Sequence, residues 1–541
     1  MRRQIFKSPV RNLFCVFALS VFVLAVLSFL IPFFRAVLPI FLSEIDFKST
    51  HSFFRILKIS SYTFLQALVS MLISVAVGIP AAYLLANKKF FGKKILYFFG
   101  AVPLCVPPLI VVLGYISTFG MNGMFNRFLM SVFNLKDAPL KFLYSFWGIV
   151  MVQGFYNFPL IMVSVADSWK TLDSSQADSA RLLGAGEIKI FFTITFRQIF
   201  PSLVSACIPV FLFCFFSFMI VLLFGAPGTS TLELEIYHAG RSSLDFKSVA
   251  ILSLVETFSA LAMLFLWSVL EKKMRRNHQV VFFENRSTKI LGVKKLFTGI
   301  YFLIVAVFFL LPLISIFFGS FVSKNGGQNH FSFDAWKKVF AMKDFCTSLG
   351  NTFFVAACTS LLCTVSGFFY STLVRLSKTK RMTAFFYTLP ILPMAVSSVA
   401  IGIGMSSVFK NSSPLVLIMA QTALSWPFAF RQIHSQMSKI PQTVLDSASV
   451  LSSNPLDKIF KIIIPYSWRG ILSALGFCFA ISAGDATLPL VLSMQKFSTL
   501  SLFTYRLAAS YRFTEACVSG LILGLVCSVV FFAAKRFGGE K

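Results

Sequence analysis

Two short stretches of this sequence, QADSARLLG at 176–184 and VLDSASVLS at 444–452, share the tripeptide Asp-Ser-Ala at positions 268 apart. The same register, without gaps, pairs identical residues elsewhere: Gln153 with Gln421, Pro159 with Pro427, Leu183 with Leu451, and Phe192 with Phe460. One shared tripeptide can arise by chance, whereas a run of matches in a single register indicates a tandem duplication. The protein is therefore predicted to consist of two equivalent halves.

Both stretches lie in polar segments between very apolar ones. The overall composition indicates the environment of these apolar segments. Of the 541 residues, 57% are hydrophobic, 13% are charged and 68 are phenylalanine, with a mean hydropathy of +0.80. In soluble domains about a quarter of all residues are charged. A chain this apolar is predicted to be a polytopic membrane protein.

Long apolar runs mark the membrane spans. Twelve runs are found, near 12–34, 63–86, 95–118, 145–165, 201–225, 248–270, 296–320, 347–374, 382–408, 414–430, 470–493 and 513–534. None alternates with a period of two, and backbone polar groups inside a bilayer must be paired, so the runs are predicted to be helices. Prolines in the third and ninth runs predict kinks there. The fold class is all-α.

Six spans in each half is an even number, so both halves enter the membrane in the same direction and form parallel repeats. The predicted units are residues 1–270, a basic linker at 271–295, and residues 296–541. Each half contains one long polar loop, about 166–200 in the first and about 431–469 in the second. These two segments are called the repeated loops below.

The net charge is +29, and the distribution of Lys and Arg along the chain indicates the topology. With the N-terminus inside, Lys and Arg are about twice as frequent in inner segments as in outer ones, as the positive-inside rule requires. Both termini and both repeated loops are therefore predicted to be cytoplasmic. The basic clusters are expected to face lipid headgroups, and no nucleic-acid partner is expected.

Each repeated loop is predicted to fold as helix, turn, helix. In the first, a helix over 176–183 is followed by a glycine turn and a second helix from Glu187 to Phe196 that ends before Pro201. In the second, a helix over 444–451 is followed by one over 456–464. The second helices carry apolar stripes, formed by Ile188, Phe191 and Phe192 in one loop and by Leu456, Ile459 and Phe460 in the other.

The repeated loops resemble the E-A-A-x-x-x-G loop of permease subunits in ATP-binding-cassette (ABC) importers. The matching residues are Asp178, Ser179, Ala180 and Gly184 in the first loop, and Asp446, Ser447, Ala448 and Ser452 in the second. Both copies have Asp where the family usually has Glu, and the second has serine in the glycine position. The resemblance implies the type I ABC importer permease fold.

In that family the loop inserts into a cleft of the ATPase subunit and transmits its closure to the membrane helices. The resemblance therefore implies a homodimeric ABC ATPase inside and a periplasmic or lipid-anchored solute-binding protein outside, in a bacterial cytoplasmic (inner) membrane. This chain has no phosphate-cradling G-x-x-x-x-G-K-[ST] loop. ATP and Mg²⁺ would be bound by the partner ATPase, with no cofactor or metal in this chain, which would be a transport subunit and not an enzyme.

Outer segments narrow the resemblance to one group of fused two-half permeases. The segment GAPGTSTLELEIY at 225–237, together with Gly484-Asp485 and the segment 498–507, is similar to thiamine permeases. This implies a solute that is thiamine or one of its phosphate esters. Ferric-iron permeases, or those for other small solutes of the same group, have related segments and are the alternative.

Two acidic residues inside spans are candidates for the solute pathway, because charge in a bilayer is costly. Glu256 lies about eight residues into the sixth span and Asp485 lies deep in the eleventh. Either could favour passage of a cation. Glu256 could equally be a structural partner of Arg506 or Arg512.

A secondary transporter of the major-facilitator type is a further alternative, because twelve spans in two parallel repeats describe it too. That class carries a short, charged G-x-x-x-[DE]-R-x-G-[RK] loop after its second span. Residues 87–94 read NKKFFGKK instead. The repeated loops also have no role in that class, so the importer reading is favoured.

Overall fold

The computed structural model of the chain describes residues 29–39, 50–90, 92–172, 175–225, 230–275, 288–289, 293–325, 328–376, 389–409, 413–451, 457, 459–494 and 497–537. The helices from residue 50 to 275 are α1 Thr50–Asn87, α2 Lys93–Phe98, α3 Val102–Cys105, α4 Pro108–Phe119, α5 Met124–Phe133, α6 Phe146–Lys170, α7 Ser175–Leu182, α8 Glu187–Ile190, α9 Phe196–Phe215, α10 Phe218–Phe224, α11 Leu232–Arg241 and α12 Phe246–Arg275.

The second set runs from residue 293 to 537. It comprises α13 Val293–Val305, α14 Leu311–Gly319, α15 Asp334–Ala341, α16 Lys343–Leu376, α17 Ile391–Met394, α18 Ser398–Val408, α19 Pro414–Met437, α20 Gln442–Leu451, α21 Ile464–Gly484, α22 Thr487–Val491, α23 Leu500–Ala509 and α24 Phe513–Phe537. The strands among the described residues form two small pairs, β1 Lys88–Lys89 with β2 Thr288–Lys289, and β3 Val322–Asn325 with β4 Gln328–Phe331. The all-α prediction is confirmed.

Within the described residues, nine helical stretches are long and apolar enough to cross a membrane. Each overlaps one of the twelve predicted spans, but the third and fifth are displaced, to Pro108–Phe133 and Glu187–Phe215 instead of 95–118 and 201–225. The first predicted span lies mostly outside the described residues, and the ninth does so in part. The tenth forms a helix of 24 residues, α19, which is mostly buried inside the bundle and carries more polar residues than its neighbours.

Four helices are broken, where the sequence analysis predicted proline kinks in only two. The breaks lie between α3 and α4, α9 and α10, α17 and α18, and α21 and α22. Pro107 and Pro108 cause the first, because neither has an N–H to donate. Asp485 supports the last, since its Oδ1 accepts hydrogen bonds from the backbone N–H groups of Thr487 (2.9 Å) and Leu488 (3.4 Å) and so caps α22.

Equivalent hydrogen bonds in the two halves confirm the duplication. The Thr63 hydroxyl accepts a hydrogen bond from the Leu232 N–H over 3.0 Å, and the Thr352 hydroxyl accepts one from the Leu500 N–H over 2.7 Å. Leu232 and Leu500 are 268 positions apart, like the two Asp-Ser-Ala copies. Each bond ties the start of a short helix, α11 or α23, to a long membrane helix.

The second helix of each repeated loop does not end where the sequence predicted. A π-helical turn at Phe191–Thr195 joins α8 directly to α9, and another at Ile459–Ile463 leads into α21. The prediction that the first ends before Pro201 is wrong, because Pro201 lies inside α9. Its fixed φ suits a helix, and the cost is one lost backbone hydrogen bond.

Candidate functional site

The first repeated loop is held by one arginine that bridges its two short helices. Arg181 donates from Nη1 to Asp178 Oδ1 over 2.6 Å, and from Nε to Glu187 Oε1 over 2.6 Å. The hydrogen bond to Glu187, more than the one to Asp178, raises the pKa of Arg181 above its ordinary value. All three side chains are exposed, so each pair contributes at most about 1 kcal/mol. Their main effect is to orient α8 relative to α7.

Gly184 makes the turn between these helices. Its φ is +82°, in the left-handed region that disfavours any residue with a Cβ atom. The Gly184 N–H donates to the Arg181 carbonyl over 2.9 Å, and the Ala185 N–H donates to the Ala180 carbonyl over 3.0 Å. This is the Schellman pattern of a helix C-terminus. Helix, turn, helix is thus confirmed for the first loop.

The second repeated loop presents the same tripeptide on α20. Asp446 and Ser447 are exposed, and Ala448 is buried. In α7 the aspartate and serine of the tripeptide are likewise exposed, and its alanine is half-buried. Ser452, the counterpart of Gly184, lies outside the described residues.

The arginine bridge belongs to the first loop alone. The positions equivalent to Arg181 and Glu187 are Ser449 and Pro455, which carry no charge. An equivalent bridge therefore cannot form in the second loop. The two loops differ in how they are held, although their tripeptides face outward alike.

Each repeated loop exposes a pair of consecutive apolar side chains just after the tripeptide. Leu182 and Leu183 are each 89% exposed, and their counterparts Val450 and Leu451 are 87% and 86% exposed. Sequence reasoning did not single out these four as site residues. The available signal was two apolar residues at the same spacing after Asp-Ser-Ala in both copies. Matching exposed apolar pairs on polar loops indicate a contact surface for another protein.

The predicted apolar stripe of the first loop is divided between two surfaces. Ile188 and Phe192 are exposed, whereas Phe191 is half-buried and stacks on Trp169 with ring centroids 6.0 Å apart. An α-helix would place all three on one face, but the π-helical turn begins at Phe191 and rotates the residues that follow. Phe191 therefore attaches the loop to α6.

The second stripe divides in the same way. Phe460 is exposed and its neighbour Ile459 is buried, matching Phe192 and Phe191 at equivalent positions. Leu456 lies outside the described residues. Each loop therefore combines one ring available for contact with one apolar residue packed into the bundle.

A cavity of about 370 Å³ lies between the halves, where the four broken helices meet. Its wall includes Pro107, Ser217, Ser398 and Asp485, one from each broken helix region. The wall reaches Arg431, six residues before the end of α19. The cavity therefore extends from the breaks towards the side that bears the repeated loops, called the loop side below.

Asp485 lies on the cavity wall and is held from three directions. Besides capping α22, its Oδ2 accepts a hydrogen bond from Gln421 Nε2 over 3.2 Å. Gln421 is itself fixed, because its Oε1 accepts from the Ser482 hydroxyl over 2.6 Å and from the Thr359 hydroxyl over 3.3 Å. The carboxylate is thus positioned by second-half residues.

Glu256, the other predicted pathway residue, does not line this cavity. It is fully buried, beside Ser397. The suggested pairing with Arg506 or Arg512 is not found: Arg506 donates to the Met494 carbonyl, and Arg512 pairs with Glu515. Both arginines therefore have partners close to them in the sequence.

Long apolar helices, duplicated halves and a central cavity define a multi-pass membrane transport protein. A model of the family described as "Binding-protein-dependent transport system inner membrane component" matches residues 74–318 and 367–537. The chain belongs to this family and is a permease subunit of an ABC importer, a transport component of the inner membrane and not an enzyme.

Several known proteins are similar to this chain over most of its length. The thiamine transport system permease protein ThiP of Brucella abortus (strain 2308) is 23% identical over 498 residues, covering 90% of this chain and 88% of that protein. ThiP of Haemophilus influenzae (strain ATCC 51907 / DSM 11121 / KW20 / Rd) is 24% identical over 494 residues, covering 87% of this chain and 86% of that protein.

A comparison with solved structures gives a match over part of the chain. A solved bacterial ABC transporter involved in the import of alginate covers 45% of this chain and 94% of its own matched chain, with 16% identity and a TM-score of 0.39.

Proposed function

We propose that this chain is the membrane-spanning permease of an ATP-driven importer for thiamine or its phosphate esters, energised by a separate homodimeric ATPase through the two repeated loops. The observation that carries the proposal is the pair of matching loops, each exposing an acid, two apolar residues and an aromatic ring. Two equivalent contact surfaces suit a partner with two equivalent subunits.

The loops are suited to transmit force because each is continuous with a membrane helix. The first passes from α8 through a π-helical turn into α9, and the second enters α21 in the same way. Those two helices end at the breaks beside the cavity. Drawing the loops together on ATP binding would move the cavity wall, and hydrolysis would let it return.

The direction of import follows from the same arrangement. The repeated loops are proposed to be cytoplasmic, together with both termini, as the distribution of Lys and Arg suggests. A periplasmic or lipid-anchored solute-binding protein would deliver solute on the opposite side. The cavity, which extends towards the loop side, would then correspond to a state open to the cytoplasm.

Thiamine is favoured as the solute by the ThiP relatives, which match over about nine tenths of this chain. The cavity supports an organic cation at its break end, where the described wall is mostly apolar and carries the carboxylate of Asp485, whereas Arg431 lies towards the loop side. Ferric iron, the alternative, prefers several oxygen ligands, and the described residues contain no group of three His, Cys, Asp or Glu that could hold a metal ion.

The proposal is tested by measuring ATPase activity of the reconstituted complex of this chain, its ATPase and its binding protein. Thiamine, thiamine pyrophosphate and ferric iron are compared as stimulants. Stimulation by a thiamine species alone supports both class and solute. Stimulation by iron alone overturns the solute, and failure to associate with any ATPase overturns the coupling.

Removal of the arginine bridge is expected to weaken coupling in the first loop. Arg181→Ala frees α8 from α7 but touches only exposed ion pairs, so thermal stability should hardly change. We expect the solute transported per ATP hydrolysed to fall severalfold. The measurement is uptake and hydrolysis in the same proteoliposomes.

Lys189→Ala is the matched control for this variant, because it removes one exposed positive charge from the same loop without breaking an ion pair among the described residues. Its transport ratio should equal that of the wild type. Equal losses in both variants would mean that the charge of the loop matters and the bridge does not.

A further inference from the structure

The cavity wall is built from the same positions of two equivalent helix ends. Eight positions of the α9–α10 region and their counterparts in the α21–α22 region, 268 residues later, all line it: Pro209, Leu212, Phe213, Phe216, Ser217, Phe218, Met219 and Ile220 in the first half, and Phe477, Ala480, Ile481, Gly484, Asp485, Ala486, Thr487 and Leu488 in the second. The duplication thus placed two similar surfaces face to face. What differs between them determines what the cavity can bind.

The two positions at the break differ most. Phe216 faces the cavity where the second half has Gly484, and Ser217 does so where the second half has Asp485. The first half therefore supplies an aromatic ring, and the second supplies space and a negative charge. Phe218, next along the first half, adds another ring to the same wall.

Uncharged polar groups line the cavity in both halves, and the first half contributes Tyr156 and Asn157. Gln421, Ser425 and Ser482 line the cavity around Asp485. Gln153, the counterpart of Gln421, does not line it and is hydrogen-bonded to Gln66. A ligand would therefore meet the one carboxylate of the described wall on the second-half side, with the ring of Phe216 at the equivalent break on the first-half side.

The electrostatics at the break end of the cavity favour a cation. Asp485 is the one carboxylate in the described wall, and the one guanidinium is that of Arg431. Gln421 and Arg431 are ten residues apart on α19, about 15 Å along a helix. The backbone of Arg431 therefore lies nearer the loop side than that of Gln421, which holds Asp485.

Two more carboxyl groups lie behind this wall. Glu233 and Glu256 are fully buried. Both lie beside Ser397, whose neighbours Val396 and Ser398 line the cavity. Their counterparts in the second half are Ser501 and Gly524, which carry no carboxyl group.

We propose that this cavity is a binding site for an aromatic organic cation, with Asp485 as the counter-ion and Phe216 and Phe218 as the wall against which its ring packs. The inference rests on the proposed function and adds that the permease itself holds the solute, in one orientation. The volume of about 370 Å³ is within the range of roughly 300–1,000 Å³ typical of small-molecule sites. Cation–π contact and a desolvated carboxylate together recognise this chemistry.

The experiment is binding of radiolabelled thiamine to the complex of this chain with its ATPase in lipid nanodiscs, without ATP and without the solute-binding protein. Wild type should bind saturably, and Asp485→Asn should weaken binding at least tenfold. Asp137→Asn, which removes an exposed carboxylate far from the cavity, should bind as wild type does. Copurification of the ATPase with each variant checks that the bundle is folded.

The outcomes separate this inference from the function on which it rests. Equal binding by wild type and Asp485→Asn would overturn the site. Absence of binding, in a complex whose ATPase is still stimulated by thiamine with the binding protein, would overturn the site and leave the importer. A folded complex that thiamine does not stimulate would overturn the proposed solute and the site with it.

Discussion

Leu183→Asp combined with Leu451→Asp is expected to abolish association of this chain with its ATPase. Both leucines are almost fully exposed at equivalent positions of the repeated loops, and we propose that both become buried in the partner. An aspartate there would lose the apolar contact and bring a charge into the interface. Full burial of one leucine side chain is worth about 2 kcal/mol, so the loss of two should cost roughly a thousandfold in affinity.

The measurement is copurification of the ATPase, followed by titration of the affinity in nanodiscs. Tyr511→Asp is the control, because Tyr511 is 84% exposed and lies far from the repeated loops, between α23 and α24. It should leave association unchanged. Retention of the ATPase by the double variant would refute the contact assigned to these residues, whereas loss in the control as well would point to general misfolding.

The loops were predictable because the duplication doubles their signal. The tripeptides, the helix-turn-helix pattern and the turn at Gly184 follow from residue identities and spacing within a few positions of each other. The two exposed apolar pairs, Leu182 with Leu183 and Val450 with Leu451, were equally visible in the sequence. They were overlooked because apolar residues are usually assigned to the interior. Only the fold shows that nothing within the described chain covers them.

The cavity was not predictable, because it depends on which helices break. Apolarity identifies a span, but it does not distinguish an intact helix from one that stops in mid-membrane. In the eleventh span the break comes from Asp485, whose side chain replaces backbone hydrogen bonds at the start of α22. The sequence marked that aspartate as costly. It did not show that Gln421, 64 residues earlier, would hold it.

Glu256 is a case in which the sequence identified a buried acid but not the residues beside it. A buried acid predicts a partner, and the candidates from the sequence were Arg506 and Arg512. The fold places Glu256 beside Glu233 and Ser397 instead. Pairing between distant segments depends on helix packing that hydropathy does not encode.

Gly484→Val is expected to reduce transport at least tenfold and to lower the thermal midpoint of the complex by several degrees. A Cβ atom at Gly484 would lie 2.5 Å from Cγ and 3.0 Å from Cβ of Pro107. The proline ring is stiff and forms part of the break before α4, so it cannot turn aside as a flexible side chain could. Overpacking of this kind costs about 1–3 kcal/mol.

The effect on transport should exceed the effect on stability, because the contact joins two broken helices from opposite halves at the cavity wall. Forcing them apart changes the shape of the cavity as well as the packing. Uptake in proteoliposomes and thermal aggregation in detergent measure the two effects separately. Gly484→Ala, with a smaller side chain, should give an intermediate result in both.

Gly350→Ala is the matched control, since a Cβ atom there would meet nothing within 4 Å. Alanine favours the helix over glycine by about 1 kcal/mol, so this variant should be at least as stable as the wild type and should transport normally. If Gly484→Val transports like Gly350→Ala, the close approach to Pro107 is dispensable, and the two halves have more freedom at the cavity than this packing implies. If Gly484→Val loses transport while its thermal midpoint stays unchanged, the glycine is required for the shape of the pathway and contributes little to holding the halves together.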